Sequence, residues 1–442
     1  MTSGLRSSES QTRNRFAMSY GVFQEYLSTN WTLSGSHELT GIIGTTFNGV
    51  MYGSMPFLFA LFTKRWVRWR QTAALCGAVL TCASFLLSSY STDVSHLIAT
   101  QGVLAALGCA LVYSPTTLSL GEWYNGGSRA LAYGVTLSCK NIVGSACPFL
   151  LRALLDRYGF RTAVRVWTAV VAGAGIPAIV FLVPTHPSSL LLSGAPRARR
   201  IPWRFLRHRT IYVYCLAIAL QSSGYGIPQT YLNTYAHDVA LLSQTSATLL
   251  LTIFNLPGIV SSSFFGYLSS NSSSSNNSNS DSNNNNSINR IMKNTSSLSA
   301  PTVTFISAMG SALSALLFWG LTSQGSMALL VLFSVTFGFF AGGYSGTWGS
   351  MLDELEREAR AGNEAVDTGV LYGLLNGARG VGYVSGGLAG VPLLKAGRAS
   401  PMAGGFGYGT AYGPLIVFTG ISSVFGGWAV LWEWRRAVVS MR

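Results

Sequence analysis

Two cations stand where hydrated side chains are costly. Lys140 lies inside the apolar run TLSCKNIVGSACPFLL, and Arg379 inside GLLNGARGVGYVSGGLAG. A charge near the middle of a membrane span is expensive and marks an ion or substrate path by default. Lys140 follows Arg129 by eleven residues, which is about 16 Å of helix at 1.5 Å per residue. The chemistry open to such a pair is anion recognition. Lysine offers a compact, titratable charge coupled to any ligand that approaches. A guanidinium stays charged and can grip a carboxylate through two parallel hydrogen bonds. Two structural readings stand beside this one. Lys140 could snorkel or pair internally, and Arg379 could lock to a neighbouring acid.

Other polar side chains fall at suggestive spacings. Asn376 precedes Arg379 by three residues and so shares its helix face. Gln221 and Tyr225 are four apart, ahead of Gly226 and Pro228, a pattern that predicts a broken helix beside a substrate site. Asn48, Gln101 and Asn255 are weaker candidates that also read as packing hydrogen bonds. Glu25 is the one acid of the short apolar stretch RFAMSYGVFQEYL, placed to carry a coupling proton or to counter a buried cation, or else solvated. No nucleophile–base arrangement or metal-ligand cluster is present, and no CxxC pair occurs among the six cysteines, all of which lie in apolar runs. The expectation is therefore no enzyme, no cofactor and no metal. Gly380-x-Gly382 lacks a preceding strand and is not a dinucleotide turn.

The elements that must position these residues are membrane helices. Of 442 residues, 49% are hydrophobic and only 10% charged, far from the roughly 25% charge of a soluble domain. The net charge of +14 is scattered in short clusters between apolar runs, which excludes a nucleic-acid surface and fits positive-inside placement. The polar, basic N-terminus is no secretory signal peptide. Full spans are expected at 40–62, 71–90, 96–119, 129–154, 161–183, 209–233, 246–268, 301–322, 326–350, 367–394 and 411–434. With the short stretch at 15–27 they form two six-helix halves with a truncated first span, 15–183 and 209–434, joined by the basic linker 184–208. Residues 1–14 and 435–442 are the expected cytoplasmic ends.

The Ser/Asn tract within 269–299 cannot bury a core and is expected to be a disordered cytoplasmic loop. Asn30-Trp31-Thr32 is a glycosylation sequon on the first external loop. Glycines recur every fourth residue at 369, 373 and 377, at 382, 386 and 390, and at 338, 342 and 346, a spacing that permits close helix contact and gliding. An acidic run, Asp353-Glu354-Leu355-Glu356, is expected on the loop after the tenth span, available to pair with the bases Lys64, Arg65, Arg68 and Arg70.

The stretch EWYNGGSRALAYGVTLSCKNIVG resembles the signature between spans four and five of the monocarboxylate porter family, within the major facilitator superfamily. It carries Trp123-Tyr124, Arg129, Leu131-Ala132-x-Gly134, Ser138 and Gly144. Tyr158-Gly159-Phe160-Arg161 resembles the family's Tyr-Gly-Trp-Arg turn, and SYGVFQEYL resembles the end of the first span in fungal members. Asp367-Thr368-Gly369 with Gly377-Ala378-Arg379-Gly380-Val381-Gly382 is similar to the eleventh span. The resemblance implies an all-α fold with a central cavity lined by spans one, two, four, five, seven, eight, ten and eleven. It also implies alternating-access transport of a small organic acid with a proton, in a lipid bilayer. The expected location is the plasma membrane, with the vacuole or another internal membrane as the alternative. Two departures stand out. The acidic-glycine motif of the first span is absent, and SATLLLTIFNLPGIVSSSFFGYL has no Asp-x-x-x-Arg pair. The rival expectations are a carrier of a neutral or bulky metabolite, and a transport-inactive paralogue.

Overall fold

The computed structural model describes residues 40–64, 66–123, 129–182, 203–275, 299–323, 326–364, 366–400 and 405–440, with Val22, Phe23, Tyr26 and Leu27. Every regular element among them is helical. Helices dominate because a bilayer offers no water to backbone amides, which must bond within their own segment. Seven stretches among the described residues are long and apolar enough to cross a membrane, which makes this an integral, multi-pass protein. One of them, Tyr133–Phe181, is long enough for two passes. It lies in the helical segment α5 (Arg129–Leu182), which folds back at Gly159, where φ is 73°. That left-handed geometry favours glycine and falls within the turn expected at Asp156–Arg161.

The expected spans at 40–62, 209–233 and 367–394 are helical too, diluted in apolar character by glycine and polar residues. The first comprises α1 (Thr40–Gly53) and α2 (Met55–Lys64). After α3 (Arg70–Ser88), the short helix Val94–Leu97 leads through a π-helical stretch, Ile98–Leu104, into α4 (Ala105–Trp123). Beyond α5 come α6 (Arg209–Asp238), α7 (Gln244–Asn255), α8 (Pro257–Ser275), α9 (Ala300–Leu313) and α10 (Met327–Tyr344). The chain ends with α11 (Trp348–Ala361), α12 (Thr368–Ala399), α13 (Gly413–Gly426) and α14 (Ala429–Ser440).

Three local expectations differ from what the structure shows. Helix α6 runs unbroken through Gly224–Gly226 and Pro228. The ring removes only the one N–H that would bond the Gly224 carbonyl, and neighbouring helices enclose the segment on its buried faces. Helix α8 continues through Ser275, seven residues into the segment 269–299, while 276–298 lie outside the described residues. The acidic run 353–356 lies on α11 rather than on a loop. There Leu355 is buried and Glu354 accepts a hydrogen bond from Tyr214, so the run faces a packed surface.

Two seams join the earlier helices to the later ones. In the first, α12 lies along α1 and α2, and its glycines meet Pro56, Phe59 and the backbone at Gly53. In the second, α5 lies along α7 and α8 through polar contacts. Ser138 Oγ donates to the Ile259 carbonyl at 2.5 Å and sits 3.0 Å from Ser263 Oγ. Asn141 Nδ2 donates to Ser262 Oγ at 3.3 Å, Thr252 to the Ser145 carbonyl at 3.0 Å, and Arg152 to Gln244. Side-chain hydrogen bonds between membrane helices are individually modest, about 0.6 kcal/mol on average, so such a seam can part. Lys140 lies within the α5 seam and Arg379 within the α12 seam.

Candidate functional site

Helix α12 starts at Asp367, whose carboxylate accepts the amides of Gly369 at 3.0 Å and Val370 at 3.2 Å. Such a cap stabilises a helix start by about 1 kcal/mol and sets the register of the face that follows. Tyr372, Asn376, Arg379 and Tyr383, spaced four, three and four apart, form that face. All four are buried.

Arg379 is 7% exposed and is enclosed by aromatic rings from four helices. Its guanidinium carbon lies 5.0 Å from the ring of Tyr52 on α1, 5.5 Å from Trp348 on α11, 5.6 Å from Tyr383 and 5.7 Å from Tyr225 on α6. Tyr52 and Tyr383 stack with centroids 5.8 Å apart at 9°. Each ring face attracts the cation by about 0.5–2 kcal/mol, which offsets part of the cost of removing it from water. The Nη2 group donates to the Tyr383 hydroxyl at 3.5 Å, while Nε has no hydrogen-bond partner.

Beside this cage, Tyr372 makes a second aromatic layer. It stacks on Tyr133 of α5 at 4.9 Å and 5°, lies 6.1 Å from Trp348, and its hydroxyl is 3.4 Å from that of Tyr113 on α4. The Trp348 indole N–H, also buried, has no acceptor.

Lys140 is 8% exposed and forms no hydrogen bond or ion pair among the described residues. Among the described residues Arg379 is the charged side chain that acts on it electrostatically, and the uncharged Tyr383 hydroxyl lies within the same range. Among the described residues the buried charged side chains are Arg70, Lys140 and Arg379, and no Asp or Glu is buried. Arg70 is occupied, its Nε donating to the Phe62 carbonyl at 3.0 Å. The centre therefore holds two like charges and several idle N–H donors with no carboxylate beside them. Like charges repel strongly where water is excluded. An anion placed there would relieve that repulsion and accept from the idle donors.

The remaining sequence candidates distribute as follows. Tyr225 belongs to the cage. Asn376 is buried one turn before Arg379, and its Nδ2 donates to the Tyr372 carbonyl at 2.8 Å. Asn48 is buried one turn before Tyr52 on α1 and makes no hydrogen bond among the described residues. Gln221 is buried one turn before Tyr225 but packs on Gly426 of α13, to the side of the cage. Gln101 bonds to Ser88 at 3.0 Å, and Asn255 to the Leu251 and Gly144 carbonyls at 2.9 and 3.4 Å, the packing roles weighed for them. Glu25 lies outside the described residues. Tyr52, Trp348 and Tyr383 were not singled out from the sequence, where aromatic residues inside apolar runs read as core. For Tyr383 a signal exists, its place one turn after Arg379; for Tyr52 and Trp348 none does.

An all-α protein that crosses the bilayer many times and closes two helical seams around a cationic, aromatic centre is of the polytopic class of membrane proteins. The chain belongs to the Major Facilitator Superfamily, whose profile matches residues 15–387. Among its relatives, monocarboxylate transporter 13 of Bos taurus is 30% identical over 49% of this chain and 49% of its own length. An MFS-type transporter of Gibberella moniliformis is 27% identical over 56% of this chain and 58% of its own. Monocarboxylate transporter 12 of Homo sapiens is 26% identical over 62% of this chain and 54% of its own. The chain thus spans about half the length of the curated relatives it matches. These matches agree with the monocarboxylate-porter resemblance of the Gly121–Arg161 stretch.

Proposed function

We propose that this protein is a secondary transporter that moves a small organic anion, monocarboxylate-like, across a membrane by alternating access, with a proton moving alongside. One observation carries the proposal: Lys140 and Arg379 are buried in electrostatic reach of one another with no acidic partner among the described residues. The rival in which both cations are neutralised internally, leaving a neutral metabolite as cargo, needs such an acid. Arg379 Nε and the Trp348 indole N–H are idle donors that a carboxylate would satisfy. Of the two cations only the lysine can change its charge in a working cycle, so the proton is assigned to Lys140. Membership of the superfamily and the names of the relatives support transport as the activity.

The test is uptake into liposomes carrying the purified protein, with a panel of labelled monocarboxylates and their methyl esters. The acids are expected to be transported and the esters not. Lys140→Gln and Arg379→Gln should each abolish uptake while the protein still inserts and folds. Wild-type flux in both variants, or equal flux of acid and ester, overturns the proposal.

A further inference from the structure

The cage does not end the polar lining of α6. Tyr225, Gln229 and Asn233 recur every fourth residue along it, and all three are buried, at 5%, 6% and 2% exposure. Residues four apart on a helix lie one above another, so they form one ridge. Starting at Tyr225, which touches the Arg379 guanidinium, the ridge runs about 6 Å to Gln229 and about 12 Å to Asn233 at 1.5 Å per residue. Neither amide is used by the fold. Asn233 has no partner for its Nδ2 or its Oδ1, and Gln229 makes no hydrogen bond among the described residues. Asn255 and Asn376, by contrast, cap carbonyls of their own helices. A buried amide lacking partners at both ends is rare in folded proteins, because water lost from it is not replaced.

We infer that Gln229 and Asn233 form a second, uncharged recognition site, which takes a hydroxyl or similar hydrogen-bonding group at the far end of the transported acid. The inference rests on the anion reading of Lys140 and Arg379 and deepens it: the cargo is an organic acid with two polar ends. An asparagine amide both donates and accepts, so a hydroxyl, which does the same, satisfies it where a methyl cannot. Length sets the class. An extended six-carbon chain with a terminal hydroxyl spans roughly 7–8 Å, and a hydrogen bond of about 2.8 Å at each end extends its reach to about 13 Å. That is comparable with the rise of about 12 Å along α6 from Tyr225, a ring of the cage, to Asn233. Shorter acids, of two or three carbons, engage only the cationic end.

The test compares hexanoate with ω-hydroxyhexanoate, equal in charge and nearly equal in shape, by titration calorimetry on the purified full-length protein in lipid nanodiscs. The wild type is expected to bind the hydroxy acid at least tenfold tighter. Asn233→Leu should erase that preference, leave hexanoate affinity unchanged, and not lower the melting temperature, since the fold makes no use of the amide. Gln229→Leu should weaken the preference in the same direction. Equal affinity of the wild type for the two acids, or a preference that survives Asn233→Leu, overturns the second site. A fall in melting temperature in Asn233→Leu with the preference intact assigns the residue to the fold and also overturns it. The anion reading fails separately, if Lys140→Gln and Arg379→Gln bind both acids as the wild type does.

Discussion

Where α12 crosses α1, Gly380 lies against the backbone of Gly53. A methyl group built there would collide first with the Gly53 backbone nitrogen and would also meet Gly53 Cα and the Tyr52 carbonyl carbon at 2.9 Å, against an ordinary contact distance of about 3.4 Å or more. Backbone cannot rotate away as a side chain can, so Gly380→Ala must part the two helices by about 1 Å. Overpacking of this kind costs about 1–3 kcal/mol. Only the conformation with this seam closed bears that cost, so the equilibrium should shift about 5- to 150-fold toward states in which it is open. Gly53, on the facing helix, gives an internal comparison: its added methyl would meet nothing within 4 Å, so Gly53→Ala should leave the equilibrium in place. The assay is the rate of labelling of a cysteine placed at Asn48, buried on α1, by a membrane-impermeant maleimide, with the six native cysteines replaced. Labelling should accelerate in Gly380→Ala and uptake should slow. Unchanged labelling and uptake would refute the view that backbone contact at this seam defines one state of the cycle.

Two further outcomes follow from the cage and the lysine. Arg379→Lys keeps a positive charge but loses the planar fork and the idle Nε donor. With a charge-assisted hydrogen bond worth about 1.5–3 kcal/mol, carboxylate affinity should fall about 10- to 150-fold without loss of folded protein, as read by titration calorimetry. Lys140→Arg retains the charge and removes the ability to release a proton. Anion binding should survive, while accumulation driven by a pH gradient across liposomes should be lost; accumulation that persists would show that the proton travels elsewhere.

Much of the chain's build was legible in its residues because membrane helices are specified locally. Twenty apolar residues, a basic turn and a glycine at Gly159 announce a span and its reversal without any knowledge of neighbours, and the helices duly stand at the expected positions. Lys140 and Arg379 were equally visible, since a charge in an apolar run is anomalous by composition alone. What misled was also local: Gly226 and Pro228 promise a break that surrounding helices suppress, and the acidic run 353–356 looks like a loop until Leu355 is buried.

Partnership, by contrast, is decided at a distance. Tyr52, Tyr225, Trp348 and Tyr383 are ordinary aromatic residues in sequence and become a cage only because α1, α6, α11 and α12 converge on one guanidinium. In the same way, nothing adjacent to Asn233 reveals that its amide finds no partner while that of Asn376 does. Composition and periodicity determined that this is a polytopic helical protein with two misplaced cations. Which donors lie idle around them followed only from packing, because a hydrogen bond depends on ångström-scale approach between segments hundreds of residues apart.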